Sequence, residues 1–397
     1  MRILHVSSEH PPLQIFGLGR YVCDLSRELA RQGHSVHVLT NSAGGGEQDV
    51  EDHGVSIHRV DFPPPPKPPD PGGPVMAFNL HLAQRANALG RQGVGDPEVI
   101  VSHDWLTALA AHRLARRWDV PHVWTVHDTV HGKRFGRIED VEDRLAYNIE
   151  SWAAQAAGLV LVNSRAIREE ILKVYGADGA RTQLLHCGLA AEAFDWCGDV
   201  TRLQAFRSVL AGSDELLITY SGRLDIEKGL DTLISAFSLL RRTLPKARLA
   251  IAGRGMLQDT IEQHIGRLGL EGAVHLCGYL KTPVLKYFYR ASDIHVCPSH
   301  YEPFGLVAAE AMAAGTPVVV SATGGLTDIV SSGEVGRTFR PKDTQALADV
   351  LLELARNPEL RIGLGRAGRR HVREHFSWSI LADSAAALYG SAAPGEN

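Results

Sequence analysis

Short apolar runs alternate along the chain with longer stretches whose apolar residues recur every three or four positions. The first run spans Arg2–Val6, and in the stretch that follows, Tyr21, Val22, Leu25 and Leu29 share one helical face. This alternation is typical of parallel sheets with crossover helices. In the first half it predicts strands at residues 2–6, 35–40, 99–103, 122–127 and 159–163, and helices at 18–31, 106–117 and 144–157.

The same alternation restarts in the second half of the chain. It predicts strands at 216–221, 248–252, 273–277, 293–297 and 318–320, and helices at 230–243, 256–268 and 283–291, with a further helix beginning near Phe304. The periodicity is weak between residues 187 and 213, where we expect the two halves to join. A final helix is predicted at 379–389. The fold class is therefore α/β, with two doubly wound, Rossmann-like domains.

Length and composition agree with a two-domain globular protein. The chain has 397 residues, of which 44% are hydrophobic and 22% charged, and this length exceeds a usual single core. The net charge of −4 gives no reason to expect nucleic acid as a partner. The five cysteines are scattered and odd in number, which favours reduced thiols and a cytoplasmic location. We expect no signal peptide, no membrane span and no metal site.

A proline-rich segment interrupts the first half at residues 62–74. Proline lacks the backbone donor that helices and sheets need, so we expect a polyproline-II surface loop here. A role as a ligand for a proline-recognising domain is the less favoured alternative.

Two carboxylates stand out around residue 304. Glu302 lies in a loop directly after a predicted strand, and Glu310 lies about two turns into an otherwise apolar helix. An unpaired buried carboxylate is costly, so Glu310 is expected to have a partner or a ligand. The alternative is a buried helix whose glutamate extends to solvent.

Other polar residues follow predicted strands and form short motifs. In the second half these are Arg223 and Lys228 in 221–230, Arg254 between two glycines, and Tyr279 and Leu280. In the first half they are Gly17 and Gly19, which open the first helix, and His103, Asp104 and His127, which end two consecutive strands. A dehydrogenase fingerprint would need a third glycine and a shorter gap after the strand, so a nicotinamide oxidoreductase is disfavoured.

Together these motifs resemble the retaining glycosyltransferases of family 4, which have the GT-B fold. Glu302 and Glu310 match the family's Glu-x7-Glu motif, and Arg223 with Lys228 match its Gly-Arg…Lys-Gly signature. Gly17 and Gly19 are similar to the Gly-Gly-Leu-Gly loop of the glycogen and starch synthase branch, with Phe16 in place of the first glycine. The resemblance implies domains at 1–195 and 196–375 that face a central cleft, and a helix in 376–397 that crosses back onto the first domain.

The resemblance also implies roles for these residues. Arg223 and Lys228 would bind the departing diphosphate, Glu302 and His127 would contact the transferred sugar, and Glu310 would bind the ribose hydroxyls. Backbone groups of Phe304, Gly305 and Leu306 would contact sugar and phosphate, and those of Gly17 and Gly19 would approach phosphate. Arg254, Tyr279 and Leu280 would complete the donor site, and Asp104 would lie on the acceptor side. His103 and His131 are expected to be structural.

The implied reaction is metal-independent transfer of a hexosyl group, with glucose on ADP or UDP favoured, to a saccharide hydroxyl. No residue stands out as a nucleophile, so no covalent intermediate is expected. A polymer, a small molecule and a lipid-linked molecule all stay open as acceptors. A nucleotide-sugar epimerase or hydrolase would need a further acid–base pair, and a non-catalytic binding module would be expected to lack Arg223, Lys228 or Glu302. The oligomeric state cannot be read from the sequence.

Overall fold

In the computed structural model the chain separates into two compact units. Unit 1 comprises Met1–Gly188 and Trp378–Asn397, and unit 2 comprises Leu189–Ser377. The structure describes residues 1–13, 17–42, 44–62, 72–195 and 198–393. Within these ranges no helix is both long enough and apolar enough to cross a membrane.

Unit 1 is built on a mostly parallel sheet with helices on its faces. Its strands are β1 (Arg2–Val6), β2 (Ser35–Asn41), β3 (Gln48–Asp52), β4 (Val55–Val60), β5 (Val99–His103), β6 (His122–Val126), β7 (Leu159–Val162) and β8 (Thr182–Leu184). Its helices are α1 (Gly17–Arg31), α2 (Gly72–Gly93), α3 (Trp105–Trp118), α4 (Val130–Lys133), α5 (Val141–Ala156), α6 (Arg165–Lys173) and, from the chain end, α15 (Trp378–Gly390). The described strands are ordered β3-β4-β2-β1-β5-β6-β7-β8.

Unit 2 repeats this plan with a parallel sheet of its own. Its strands are β9 (Leu217–Ser221), β10 (Arg248–Ala252), β11 (Val274–Gly278), β12 (Ile294–Cys297), β13 (Val318–Ser321) and β14 (Arg337–Phe339). Its α-helices are α7 (Val200–Leu210), α8 (Leu230–Thr243), α9 (Gln258–Arg267), α10 (Thr282–Ala291), α11 (Leu306–Ala313), α12 (Leu326–Ile329), α13 (Thr344–Arg356) and α14 (Pro358–His375). The strand order β11-β10-β9-β12-β13-β14 makes β9 and β12, the strands that precede Lys228 and Glu302, neighbours.

Continuous apolar strands explain both cores. Every residue of β5, β6, β7, β9, β12 and β13 is buried, as expected for parallel strands covered on both faces. The predicted strands and helices all exist, with ends that shift by a few residues. The α/β fold of two Rossmann-like units is thereby confirmed.

The structure also contains elements that the sequence pattern did not predict. The antiparallel hairpin β3–β4 turns at His53 and Gly54, whose φ angles of 49° and 80° are those of a two-residue hairpin turn. Helix α2 begins at Gly72, so the expectation that residues 62–74 stay outside any helix is wrong for Gly72, Gly73 and Pro74. Proline is tolerated there because the first turn of a helix needs no backbone donor. Residues 63–71 lie outside the described residues.

The division into units differs slightly from the predicted domain bounds. The 3₁₀ turn Ala191–Phe194 belongs to unit 2 and packs on α11. The centroid of its Phe194 ring also lies 5.9 Å from that of Tyr289 in α10. Leu189 and Ser377 form a β-bridge, so unit 2 begins and ends at this bridge. Helix α15 packs against α1 of unit 1, with the rings of Trp378 and Tyr21 5.4 Å apart.

Candidate functional site

An ion pair lies at the carboxyl edge of the unit 2 sheet, where β9 and β12 end side by side. Lys228 Nζ donates to Glu302 Oε2 at 3.0 Å, and Ser299 Oγ donates to the same oxygen at 2.9 Å. Both charged side chains are mostly buried, with 14% and 10% exposed. Gly229 brings the two loops together, because a Cβ there would lie 2.1 Å from the Pro298 carbonyl oxygen.

The loop after β13 closes around Glu302 from the other side. Gly325 N–H donates to the Glu302 carbonyl oxygen at 2.9 Å, and a Cβ on Gly324 would lie 1.8 Å from that oxygen. Only glycine fits a backbone contact of this kind. The sequence analysis missed Gly324 and Gly325, although a glycine pair directly after a predicted strand is a signal that could have identified them.

Glu310 is buried and hydrogen-bonded inside unit 2. Glu310 is 6% exposed, and its Oε2 accepts a hydrogen bond of 2.9 Å from Tyr289 Oη. Tyr289 Oη lies 2.9 Å from Ser221 Oγ as well. Burial, followed by the charge of Glu310, raises the pKa of Tyr289, so the tyrosine keeps its proton and acts as donor to Glu310. The alternative of a glutamate that extends to solvent is wrong.

Arg223 is held by two carboxylates that the sequence analysis did not single out. It forms ion pairs with Asp225 at 2.5 Å and with Glu227, and its side chain is 44% exposed. Glu227 follows Arg223 by four residues, a spacing that could have revealed the pair. Both predicted phosphate-binding cations therefore have acidic partners in the free protein.

The remaining predicted donor-site residues lie along the same edge of unit 2. Helix α11 begins at Leu306, preceded by the buried Phe304 and by Gly305 with a φ of 108°. Arg254 follows β10 and is exposed, and Tyr279 and Leu280 follow β11, with Tyr279 66% exposed. Met256 follows Arg254 closely in the chain and is 89% exposed. Because β10 and β11 lie beyond β9, these residues are further from Glu302 along the edge.

In unit 1, Asp104 and His127 meet at the ends of the adjacent strands β5 and β6. The His127 N–H donates to Asp104 Oδ1 at 2.7 Å, and Asn163 Nδ2 donates to the His127 carbonyl oxygen at 2.7 Å. Asp104 has a left-handed φ of 57°. Burial, followed by the charge of Asp128, raises the pKa of Asp104.

The His127 ring is enclosed by two other rings. Its Nε2 lies 3.1 Å from His103 Nδ1, and its centroid lies 4.5 Å from that of Tyr21. Burial lowers the pKa of His127 to about 4. At neutral pH the imidazole is therefore uncharged.

The two glycines of the first helix lie in its first turn. Gly17 begins α1, and Gly19 is buried against Glu9, so that a Cβ on Gly19 would lie 3.1 Å from the Glu9 Cβ. Phe16 lies outside the described residues. Across the described ranges, no group of three or more His, Cys, Asp or Glu side chains is arranged to hold a metal ion.

Comparison with known proteins identifies the family. The family described as Glycosyltransferase Family 4 matches residues 15–192, and the family described as Glycosyl transferases group 1 matches residues 202–371. A protein named glycogen synthase from Mycobacterium tuberculosis is 35% identical over all of this chain and 96% of its own length. A D-inositol 3-phosphate glycosyltransferase from Xylanimonas cellulosilytica is 32% identical over 95% of this chain and 92% of its own.

A solved structure agrees with these relatives. The sucrose-phosphate synthase of Thermosynechococcus elongatus superposes with a TM-score of 0.82 at 26% identity, and the match covers 98% of both chains. The strands, the paired loops and the relatives lead to one conclusion: the chain is a nucleotide-sugar-dependent glycosyltransferase with the GT-B fold and belongs to glycosyltransferase family 4.

Proposed function

We propose that this protein is a retaining, metal-independent hexosyltransferase that moves glucose from an ADP- or UDP-linked donor to a hydroxyl of a saccharide. The observation that carries the proposal is the buried Lys228–Glu302 pair at the carboxyl edge of unit 2. Ligands of doubly wound sheets bind at this edge. Resemblance to glycogen synthase, the printed name of a relative 35% identical, favours a glucan acceptor.

Unit 2 would bind the donor through charge and hydrogen bonding. Lys228 and Arg223 would neutralise the departing diphosphate, a task that a metal ion performs in other transferases. Arg223 would exchange one of its carboxylate partners for phosphate, because its half-exposed ion pairs are weak. Backbone N–H groups at the start of α11 would add a helix N-terminus to the phosphate site.

Two carboxylates would bind hydroxyl groups of the donor. Glu310 would accept hydrogen bonds from the ribose, and the bond from Tyr289 fixes its second oxygen in place. Glu302 would hold sugar hydroxyls while Lys228 and Ser299 orient it. Arg254, Tyr279 and Leu280 would line the part of the edge that binds the base.

Unit 1 would contribute His127, which is uncharged at neutral pH, and Asp104 to the reaction. His127 would hydrogen-bond to the transferred sugar, and Asp104, whose oxygen is occupied by the His127 N–H, would lie on the acceptor side. The incoming hydroxyl would attack from the face that the phosphate leaves, and a phosphate oxygen would take its proton. Rate enhancement would then come from positioning and electrostatics and would need no protein nucleophile. The reduced thiols Cys23, Cys187, Cys277 and Cys297 favour the cytoplasm as the location.

A donor screen tests this proposal. Purified protein is incubated with each common nucleotide-sugar in EDTA, with and without malto-oligosaccharides, and nucleotide release is followed. We expect release from one donor that depends on acceptor and is lost in Arg223→Ala and Glu302→Ala. Arg242→Ala, an exposed arginine of α8, is the matched control and should keep full activity.

Three results would contradict parts of the proposal. Release that requires added metal would exclude the cation mechanism, and an inverted anomeric configuration in the product would exclude retention. Release without acceptor would favour a hydrolase or epimerase. Product configuration is read by proton NMR of the new glycosidic linkage.

A small acceptor is the second candidate, favoured by the relatives named for D-inositol 3-phosphate at 28–32% identity. The same screen separates the two candidates. Nucleotide release that inositol phosphates or hexose phosphates stimulate and that malto-oligosaccharides do not would favour the small acceptor.

A further inference from the structure

Three histidines form a continuous hydrogen-bonded row across unit 1. His5 of β1, His103 of β5 and His127 after β6 come from three adjacent strands. His5 Nδ1 lies 2.9 Å from His103 Nε2, and His103 Nδ1 lies 3.1 Å from His127 Nε2. Neighbouring rings lie edge to edge, with interplanar angles of 24° and 29° and centroids 5.2 and 5.3 Å apart.

The two ends of this histidine row differ. At the inner end, His5 and His103 are fully buried, and Nε2 of His5 has no hydrogen-bond partner among the described residues. The Tyr389 ring of α15 packs edge-on against His5 with centroids 6.0 Å apart. At the outer end, His127 is only half-buried, and its Nδ1 bonds to no described residue.

Proton counting leaves two arrangements for a neutral row. Each neutral imidazole has one N–H donor and one acceptor nitrogen, so the bonds must all point the same way. If they point outward, all three rings carry hydrogen on Nδ1, and His5 ends the row with a bare Nε2. If they point inward, all three carry hydrogen on Nε2, and His5 ends the row with a buried N–H that has no acceptor.

The inner end decides between these arrangements. A buried N–H without an acceptor is rarer in proteins than an acceptor without a donor, and it keeps its full desolvation cost. The outward arrangement leaves a bare acceptor nitrogen in its place, which also loses its hydration but is the less rare of the two in buried sites. Burial also lowers the pKa of His5 to about 3, so protonation does not supply the row with an extra hydrogen at neutral pH.

We propose that His5 and His103 fix His127 as the Nδ1–H tautomer, so that His127 presents a hydrogen-bond donor and not a base to its ligand. Its partner is then an oxygen lone pair, such as that of a sugar hydroxyl or ring oxygen. His5 and His103 are positioning residues, and the catalytic consequence rests on the proposed transferase function. The tautomer itself does not depend on that function.

Nitrogen-15 NMR of protein labelled at histidine tests the tautomer directly. Long-range couplings between ring nitrogens and carbon-bound protons distinguish Nδ1–H from Nε2–H, and the His127 signals are assigned by their loss in His127→Gln. We expect the Nδ1–H pattern for His127 at neutral pH. The Nε2–H pattern, or an average of the two, would overturn the proposal whether or not transferase activity is found.

Substitutions of His103 test the link between the row and His127. His103→Asp replaces the donor by a carboxylate acceptor of the same reach, so we expect Nε2 of His127 to gain hydrogen and the Nδ1–H pattern to be lost. His103→Asn keeps an amide donor at the distance of Nδ1 from the backbone and should retain the wild-type pattern. With the active donor, we expect His103→Asp to lower kcat by about tenfold or more with little change in donor KM, and His103→Asn to retain part of it.

His122→Gln is the matched control for fold effects. His122 is a buried histidine of β6 that bonds to Ser102 and not to the row. We expect His122→Gln to lower thermal stability as His103→Asp does and to leave the His127 tautomer and kcat unchanged. A His103→Asp protein that is destabilised but keeps the Nδ1–H pattern would show that the row is only structural.

Discussion

Units 1 and 2 share one architecture but line their candidate sites with opposite kinds of polar chemistry. Unit 1 places uncharged imidazoles at its strand ends, where burial lowers the pKa of His127 to about 4. Unit 2 places ion pairs there, with Lys228 against Glu302 and Arg223 against two acids. The difference shows that the same sheet edge suits either the neutral or the charged part of a reaction. It also means that a fall in pH should destabilise mainly unit 1, whereas removal of one member of an ion pair should destabilise unit 2.

The largest effect is expected from breaking the buried ion pair of unit 2. Lys228→Ala leaves Glu302 buried without its cation, which should cost about 3–5 kcal/mol of unfolding free energy and lower kcat by roughly 10²–10³-fold. Urea unfolding and initial rates measure the two effects. The double variant Lys228→Met/Glu302→Gln should recover much of the stability and none of the activity. Recovery of activity would show that the pair has a structural role alone.

Mild acid should weaken unit 1 more than unit 2. In unit 1, burial lowers the pKa of His5 and His122 to about 3 and the pKa of His10 and His127 to about 4. Among the described residues of unit 2, only His295 has a pKa lowered this far, to about 3. Unfolded histidine binds a proton near pH 6.5. Below that pH the unfolded state binds more protons, so stability falls as pH falls.

The expected loss is about 1 kcal/mol per buried histidine between roughly pH 6.5 and 5.5. Burial raises the pKa of Glu150 to about 8, so this carboxyl is protonated in the folded state and offsets part of the loss. Tryptophan fluorescence reports mainly on unit 1, since this unit contains five of the six tryptophans: Trp105, Trp118, Trp124, Trp152 and Trp378. We expect the urea midpoint of this signal to fall over that pH range. A midpoint that does not change would contradict the neutral state of these histidines.

Each unit contains a buried tyrosine that is hydrogen-bonded to a glutamate, so the two tyrosines allow a direct comparison of the units. Tyr175 Oη donates to Glu150 at 2.6 Å in unit 1, and Tyr289 Oη donates to Glu310 at 2.9 Å in unit 2. Replacing either tyrosine by phenylalanine should cost about 1–3 kcal/mol, because buried acceptors lose their donor. Only Tyr289→Phe should raise the KM for the nucleotide-sugar. An equal rise in Tyr175→Phe would mean that KM reports on stability.

The smallest effect is expected at the exposed edge of the charged site. Glu227→Gln removes one of two acids from the half-exposed Arg223 and should change the unfolding free energy by less than about 1 kcal/mol, with a smaller difference in high salt. Thermal unfolding at two salt concentrations measures this change. A loss as large as that of Lys228→Ala would show that Arg223 is part of the structural core of unit 2.

Sequence periodicity was sufficient for most of the fold because most elements of this protein are long or wholly apolar. Strand β12, helix α11 and strand β13 were predicted in order, together with the burial of Glu310. The hairpin β3–β4 was not predicted. Four of the five residues of β3 are exposed and the fifth is half-buried, so its sequence contains no period of two that would indicate a buried face.

The chemistry of the site was predicted less completely, because it depends on neighbours that are distant in sequence. Ser221 and Tyr289 are separated by 68 residues, and their contact depends on how β9 and α10 pack. His5 and His103 are likewise separated by 98 residues. A strand-end histidine gives no indication of which strand lies beside it, so the row of imidazoles appears only once the strand order is known.

Because α15 packs on unit 1, the two units are expected to complete their folding at different stages of synthesis. Unit 2 is continuous in sequence and can complete its core while synthesis is still in progress. Unit 1 is not continuous, because Trp378 and Tyr389 complete the packing around Tyr21 and His5. Synthesis of unit 1 therefore starts before unit 2 and is completed after it, and a nascent chain that lacks α15 leaves the inner end of the histidine row uncovered.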